Sequence, residues 1–245
     1  MKKIFALILA AAMVLAFAAC GNSAPAEFTK KEEAVPPSSS NVQTEPSAPA
    51  DDAAPDGSQV DDAAQTEQTK GGSNMLVAYF SLAGEQYGVG VVEEGNTSII
   101  AHMIAEQAGA DLFEIEPETP YPTTYQGLLD VSQQEMRDNA RPEIAGTVEN
   151  MADYDTIFIG YPNWWGDMPM IVYSFLESYD LSGKTIVPFC THGGSGLSNT
   201  ESTIADITGG TMKDGLAIPG TTAQNDRDTA GSKVAQWLRE GDFIA

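Results

Sequence analysis

Basic side chains are scarce in this 245-residue chain: 12 Lys and Arg stand against 35 Asp and Glu, for a formal charge of −23 at neutral pH. So few cations exclude phosphate-backbone binding, and nucleic acid with it, from the expected partners. Cysteine is nearly absent. Cys20 and Cys190 leave little room for a disulfide framework or a thiolate metal site, and two His without paired spacing argue against zinc. Trp and Tyr are missing from the first 74 residues, all three Trp and all eight Tyr lying beyond them. Length alone allows one or two domains, but this distribution predicts one. Residues 75–245 supply 171 positions, enough to bury roughly 70% of the unfolded chain's surface in a single core.

What stands before that core reads as an address. Lys2 and Lys3 precede an apolar run from Ile4 to Phe17, then Ala18, Ala19 and Cys20, the order of a charged n-region, an h-region and a small-residue cleavage site. The run is too short to span a bilayer comfortably. Phe17-Ala18-Ala19-Cys20 resembles a bacterial lipobox, which predicts a signal peptide over residues 1–19 and lipidation of Cys20; the alternative is an ordinary secretory signal with an incidental Cys. From Gly21 to Asn74 the chain is Ala, Pro, Ser, Asp, Glu, Gln and Thr with Phe28 as its one aromatic. Such a composition cannot bury enough apolar surface to offset ordering entropy, so residues 20–74 are expected to be a disordered linker, with an r.m.s. reach of roughly 40 Å.

Beyond it, strand and helix patterns alternate. Leu76–Phe80 is a continuous apolar run, as expected of a strand covered on both faces. Ile100, Met103, Ile104 and Ala108 form an apolar stripe on a helix over Thr97–Ala108, with His102 off it. Asp111–Glu116 reads as a second strand and Tyr125–Asp138 as a second helix through Tyr125, Leu128, Leu129 and Met136. A third strand over Thr156–Tyr161 is followed by a helix over Pro169–Tyr179, and a fourth over Thr185–Thr191 by a weak helix over Asn199–Thr208. A weak fifth strand, Gly215–Ile218, precedes a last helix, Asp228–Arg239. Five βα units predict a doubly wound parallel sheet. Pro188, inside the fourth strand, donates no ladder hydrogen bond and points to an edge or a bulge.

In such a sheet ligands bind beyond the carboxyl ends of the strands, where strand order reverses. After the first strand come Ser81, Ala83 and Gly84, an excursion from Glu85 to Gly95, and then Asn96 and Thr97 at a helix start, a set suited to a phosphate dianion. After the third come Pro162, Asn163, Trp164, Trp165 and Gly166; adjacent Trp cannot both point into the core, so at least one is expected to offer its face to a flat aromatic ligand. After the fourth come Thr191, His192, Gly193, Gly194, Ser195 and Gly196, whose glycines let backbone N–H groups approach a ligand. Two other phosphate patterns fail: Gly88-Val89-Gly90-Val91-Val92-Glu93 lacks the last Gly of a dinucleotide fingerprint, and Gly183-Lys184-Thr185 precedes a strand, with Ser178 where a P-loop needs Gly. Ser195 as a hydrolase nucleophile fails too, since Leu197 replaces the final Gly of the elbow.

These residues resemble a flavodoxin. Ser81, Gly84, Asn96 and Thr97 are similar to the family's phosphate loop, although Ala83 replaces its middle hydroxyl and Glu85–Gly95 interrupts it. Gly160-Tyr161-Pro162 with Trp164-Trp165, and Pro188-Phe189-Cys190-Thr191 with Gly193-Gly194-Ser195-Gly196, resemble a flavodoxin-like subfamily of bacteria. The resemblance implies a three-layer α/β sandwich around a five-stranded parallel sheet in order 2-1-3-4-5, with FMN held by the three loops and Trp164 or Trp165 stacked on its ring. It implies Pro188 is accommodated, for example by a bulge. It also implies an electron carrier serving redox partner proteins or small acceptors, and the lipobox reading adds that the protein is exported and tethered to the membrane through Cys20. The alternatives are an FMN-dependent reductase of quinones or other small molecules, and a binding lipoprotein that has lost FMN.

Overall fold

Met75–Tyr79 (β1) alternates its side chains between two hydrophobic cores: Leu76 and Ala78 enter one, Val77 and Tyr79 the other, and all four are buried. That two-sided burial explains why the strand is an unbroken apolar run, each large aliphatic contributing about 1.5–3 kcal/mol. The structure, a computed structural model, describes residues 74–245. The expected signal peptide, the lipidated Cys20 and the linker up to residue 73 lie outside the described residues.

After β1 the chain makes a hairpin of β2 (Gly84–Gln86) and β3 (Gly90–Val92), then α1 (Asn96–Ala108), β4 (Asp111–Glu114), β5 (Glu116–Pro117) and α2 (Tyr125–Asp138). It continues through β6 (Ile144–Ala145), β7 (Thr156–Pro162), α3 (Met170–Glu177), β8 (Thr185–His192) and α4 (Thr200–Thr208). The last elements are β9 (Thr211–Met212), β10 (Leu216–Pro219), α5 (Gly220–Asn225) and α6 (Arg227–Glu240). The central sheet is parallel in the order β4-β1-β7-β8-β10, which is the expected 2-1-3-4-5. Ile100, Ile104, Ala223, Val234 and Leu238 pack α1, α5 and α6 on one face. Leu128, Ile171, Phe175 and Ile204 pack α2, α3 and α4 on the other.

Several expectations shift in detail. The second strand is cut at Glu114, because Glu116 and Pro117 leave the sheet to pair antiparallel with Ala145 and Ile144. On α1 the buried stripe is wider than expected, taking in Ile99, Ala101 and Ala105, while Met103 and Ala108 are only partly covered. Met136 on α2 is exposed, and Ser132 is buried instead. The short helix α5 carries no apolar stripe that periodicity could have found.

Pro188 has a physical account that needs no bulge. The ladder between β7 and β8 runs unbroken from Thr156↔Thr185 to Pro162↔Thr191, with Pro188 opposite Ile159. On the other side of β8, β9 pairs with Thr185 and Ile186 and β10 with Phe189 to His192, so Pro188 falls between two pieces of a broken edge strand. The carbonyls of Lys184 and Ile186 accept from Thr211 and Lys213 on that side. By alternation the nitrogen of Pro188 faces it too, where the missing N–H deprives no neighbour. Its ring fills the gap: a Cβ on Gly215 would lie 3.1 Å from Pro188 Cγ.

A second close approach sets the spacing at the site end. Gly160 of β7 lies directly under the buried ring of Phe189 on β8, with no space for a Cβ. Gly160→Ala is expected to destabilise the fold by about 1–3 kcal/mol through overpacking, read as a lower urea midpoint at unchanged slope; an unchanged midpoint would contradict this packing.

Candidate functional site

The crossovers leaving β1 and β7 go to opposite faces, to α1 and α3, so a crevice opens between their carboxyl ends. A cavity of about 420 Å³ occupies it. All three expected loops reach this cavity, and so does the inserted hairpin.

The first wall is the start of α1. Its N-cap is Gly95, which offers no side-chain acceptor, so the first-turn N–H groups are not capped by their own neighbour. Ser81 takes one of them, accepting from Ser98 N at 3.0 Å, and its own hydroxyl hydrogen stays available as a donor. Thr97 Oγ1 lies 2.8 Å from Thr191 Oγ1, both buried, tying the first and fourth strand-end loops together. Asn96 lines the cavity, and its side-chain oxygen is buried without a hydrogen-bond partner. An orphaned buried acceptor costs about 1–3 kcal/mol unless a ligand donor reaches it. Gly220 leaves space for that amide, since a Cβ there would sit 2.6 Å from Asn96 Nδ2. Ser81 and Thr97 line a small recess beside the cavity, whereas Ala83, expected at the site, is exposed and lines neither. Gly84 turns away, pressed on the Thr123 carbonyl with φ 100°.

The second wall separates the two indoles. Trp164 packs edge-on against Phe80 and Tyr121, with ring centroids 5.5 and 5.7 Å away, and so belongs partly to the core. Both indoles line the cavity, and Trp165 is 48% exposed. A tight turn achieves the split: Trp164 and Asp167 exchange backbone hydrogen bonds, and Trp165 and Gly166 between them have φ of 58° and 83°. Positive φ is strained for Trp. The strain is held by Trp165 Nε1 donating to Ser132 Oγ (3.1 Å) and by Gly166 N donating to Asn163 Oδ1 (3.1 Å). Pro162 completes this wall.

The third wall is the loop after β8, with Thr191, His192, Gly193, Gly194 and Ser195 on the cavity. Gly196 lies behind them, its carbonyl accepting from Asn163 Nδ2 at 2.8 Å and from the Cys190 thiol at 3.3 Å. Asn163 thus clips the second and third loops together. Burial pushes the Cys190 thiol up to about 12, with Glu201 adding to the effect, so it is an inert donor. His192 accepts from Gly194 N through Nδ1 at 2.9 Å. Burial, helped by Lys233, holds its imidazole below the ordinary value of 6.5 and favours the neutral ring.

Sequence reasoning missed the remaining wall. Tyr87 of the hairpin and Tyr125, Leu128, Leu129 and Ser132 of α2 face the same cavity. The α2 set carried a signal, since positions 125, 128, 129 and 132 share one helical face. Tyr87 carried none, because nothing in the insertion fixes where its tip lands.

The profile of the family described as Flavodoxin matches residues 74–237. A candidate flavoprotein from Bacteroides eggerthii is 32% identical over 69% of this chain and 97% of its own, with a TM-score of 0.55. The chain belongs to the flavodoxin family. A candidate flavoprotein from Bacteroides uniformis is 33% identical over 69% of this flavodoxin and 99% of its own chain, with a TM-score of 0.54. A flavoprotein from Lactobacillus acidophilus in complex with FMN is 22% identical over 66% and 97%, with a TM-score of 0.49. No curated protein matches the chain. In this flavodoxin the carboxyl ends of the parallel strands hold the cavity.

The two indoles should separate experimentally. Trp164→Ala is expected to cost about 3 kcal/mol of fold stability through lost core packing. Trp165→Gly should leave stability within about 1 kcal/mol, since Gly relieves the positive φ, but weaken flavin binding by about 1–3 kcal/mol. Denaturation and flavin titration of both variants check this, and the reverse pattern would contradict it.

His192 gives a pH dependence of definite sign. With its folded value below 6.5, its contribution is fully present above pH 6.5 and is lost as pH falls through the lowered value. An NMR titration should place its midpoint below 6.5, with the Gly194 amide shifting in step; a midpoint above 6.5 would contradict the burial.

Proposed function

We propose that this flavodoxin binds FMN and carries electrons outside the cytoplasmic membrane, anchored through Cys20. The observation that carries the reading is the convergence on one cavity of the α1 start and the unpartnered Asn96 oxygen with an exposed indole and a glycine-rich loop. The first pair suits the phosphate and ribityl hydroxyls of FMN, and the second pair suits its flat ring. When bound, FMN supplies the redox chemistry, so no nucleophile or general base is required of the chain.

The residues present fit that group. First-turn N–H groups of α1 and the Ser81 hydroxyl are donors for phosphate, and Asn96 Oδ1 is an acceptor for a ribityl hydroxyl. The lining contains no Lys or Arg, and residues 75–245 hold 25 acidic and 7 basic side chains, a charge of −18. Negative charge added on reduction therefore meets a repulsive field, which favours handing the electrons on. Export and anchoring rest on the charged, apolar and lipobox segments that end at Cys20.

Fluorescence titration of the full chain tests the phosphate site. Two charge-assisted hydrogen bonds at about 1.5–3 kcal/mol each should make FMN bind at least about 100-fold more tightly than riboflavin. Equal dissociation constants would overturn the reading.

A further inference from the structure

The hairpin of β2 and β3 interrupts the phosphate loop yet is tied down on both sides of the cavity. Toward α2, Glu85 N donates to the Thr123 carbonyl and Glu85 Oε2 accepts from Tyr125 N, both at 2.9 Å. Toward α5 and α6, the Glu94 carbonyl accepts from Gln224 Nε2 at 2.7 Å, and Glu94 Oε2 accepts from Arg227 Nη2 at 3.0 Å. Between these anchors the turn at Tyr87, Gly88 and Val89 reaches the loop after β8.

Two observations locate the Tyr87 ring. It lines the cavity while remaining 66% exposed, so its face is open to a ligand there. The ring also rests on Gly193: a Cβ there would lie 2.7 Å from Tyr87 Cδ1. Gly193 does not have the positive φ of its neighbours Gly194 and Gly196, so its backbone does not require glycine. A Cβ there would have to push the Tyr87 ring aside.

Resting on the flavin reading above, we propose that Tyr87 is a wall of the flavin site, and that the hairpin is a clasp holding FMN against the loop after β8. The anchors fix the ends of the hairpin, and the seat on Gly193 fixes its tip. A cofactor leaving the cavity must displace that ring.

The test follows FMN release from the loaded full-length protein as recovery of flavin fluorescence on dilution. Tyr87→Ala should release FMN at least tenfold faster, while keeping the preference for FMN over riboflavin, because the phosphate site is untouched. Tyr87→Phe should release near the wild-type rate. Gly193→Ala should speed release through the same ring, adding little to Tyr87→Ala in the double variant. Deleting residues 85–95, which joins Gly84 to Asn96, should be at least as fast as Tyr87→Ala. Wild-type release from Tyr87→Ala would overturn the clasp while leaving the flavin reading intact. Failure of the wild-type protein to take up FMN would overturn both.

Discussion

The reversal of crossover direction between β1 and β7 is the constraint on which the rest of the molecule depends. Because the chain leaves these neighbouring parallel strands toward opposite faces, their carboxyl ends open onto a crevice that neither helical layer covers. Everything with chemical character hangs from that edge: the uncapped start of α1, the Trp turn and the glycine-rich loop. The two-sided apolar core fixes the strand ends, so the loops inherit a rigid base.

The loops are also joined to one another. Thr97 meets Thr191, Asn163 reaches Gly196, Trp165 reaches Ser132, and Tyr87 sits on Gly193. Side chains that sequence patterns offer as ligand contacts therefore divide into two kinds. Asn96 and Trp165 face the cavity, the first with an unpartnered oxygen and the second with an exposed indole, whereas Asn163 and Thr97 hold the walls in place. The strained φ of Trp165 fits this division, because a residue presented outward in a tight turn must be held there by its neighbours.

Apolar periodicity made the five βα units legible in the sequence and the reversal rule pointed to the three loops, while the sheet order came from the resemblance to flavodoxin. What could not be read depended on contacts between distant segments. Pro188 looked like a ladder defect until the edge strand opposite it was found to be broken at that residue. The division of roles between Trp164 and Trp165 needed the left-handed turn, and either indole satisfied the local pattern. Residues Glu85–Gly95 looked like an interruption of the phosphate loop. Their anchors on Thr123, Tyr125, Gln224 and Arg227 lie 38 to 133 positions away, and no local signal specifies them. Met136 shows the opposite failure, an apolar residue at helical spacing that the core does not use.

Amide hydrogen exchange of the full chain with and without FMN tests most directly whether the strand-end crevice is the flavin site. The account predicts slower exchange on adding FMN at residues 95–98, 163–167 and 193–196, with little change at the opposite end of the sheet around residues 180–185. Unchanged exchange in the three loops, or protection centred elsewhere, would contradict it.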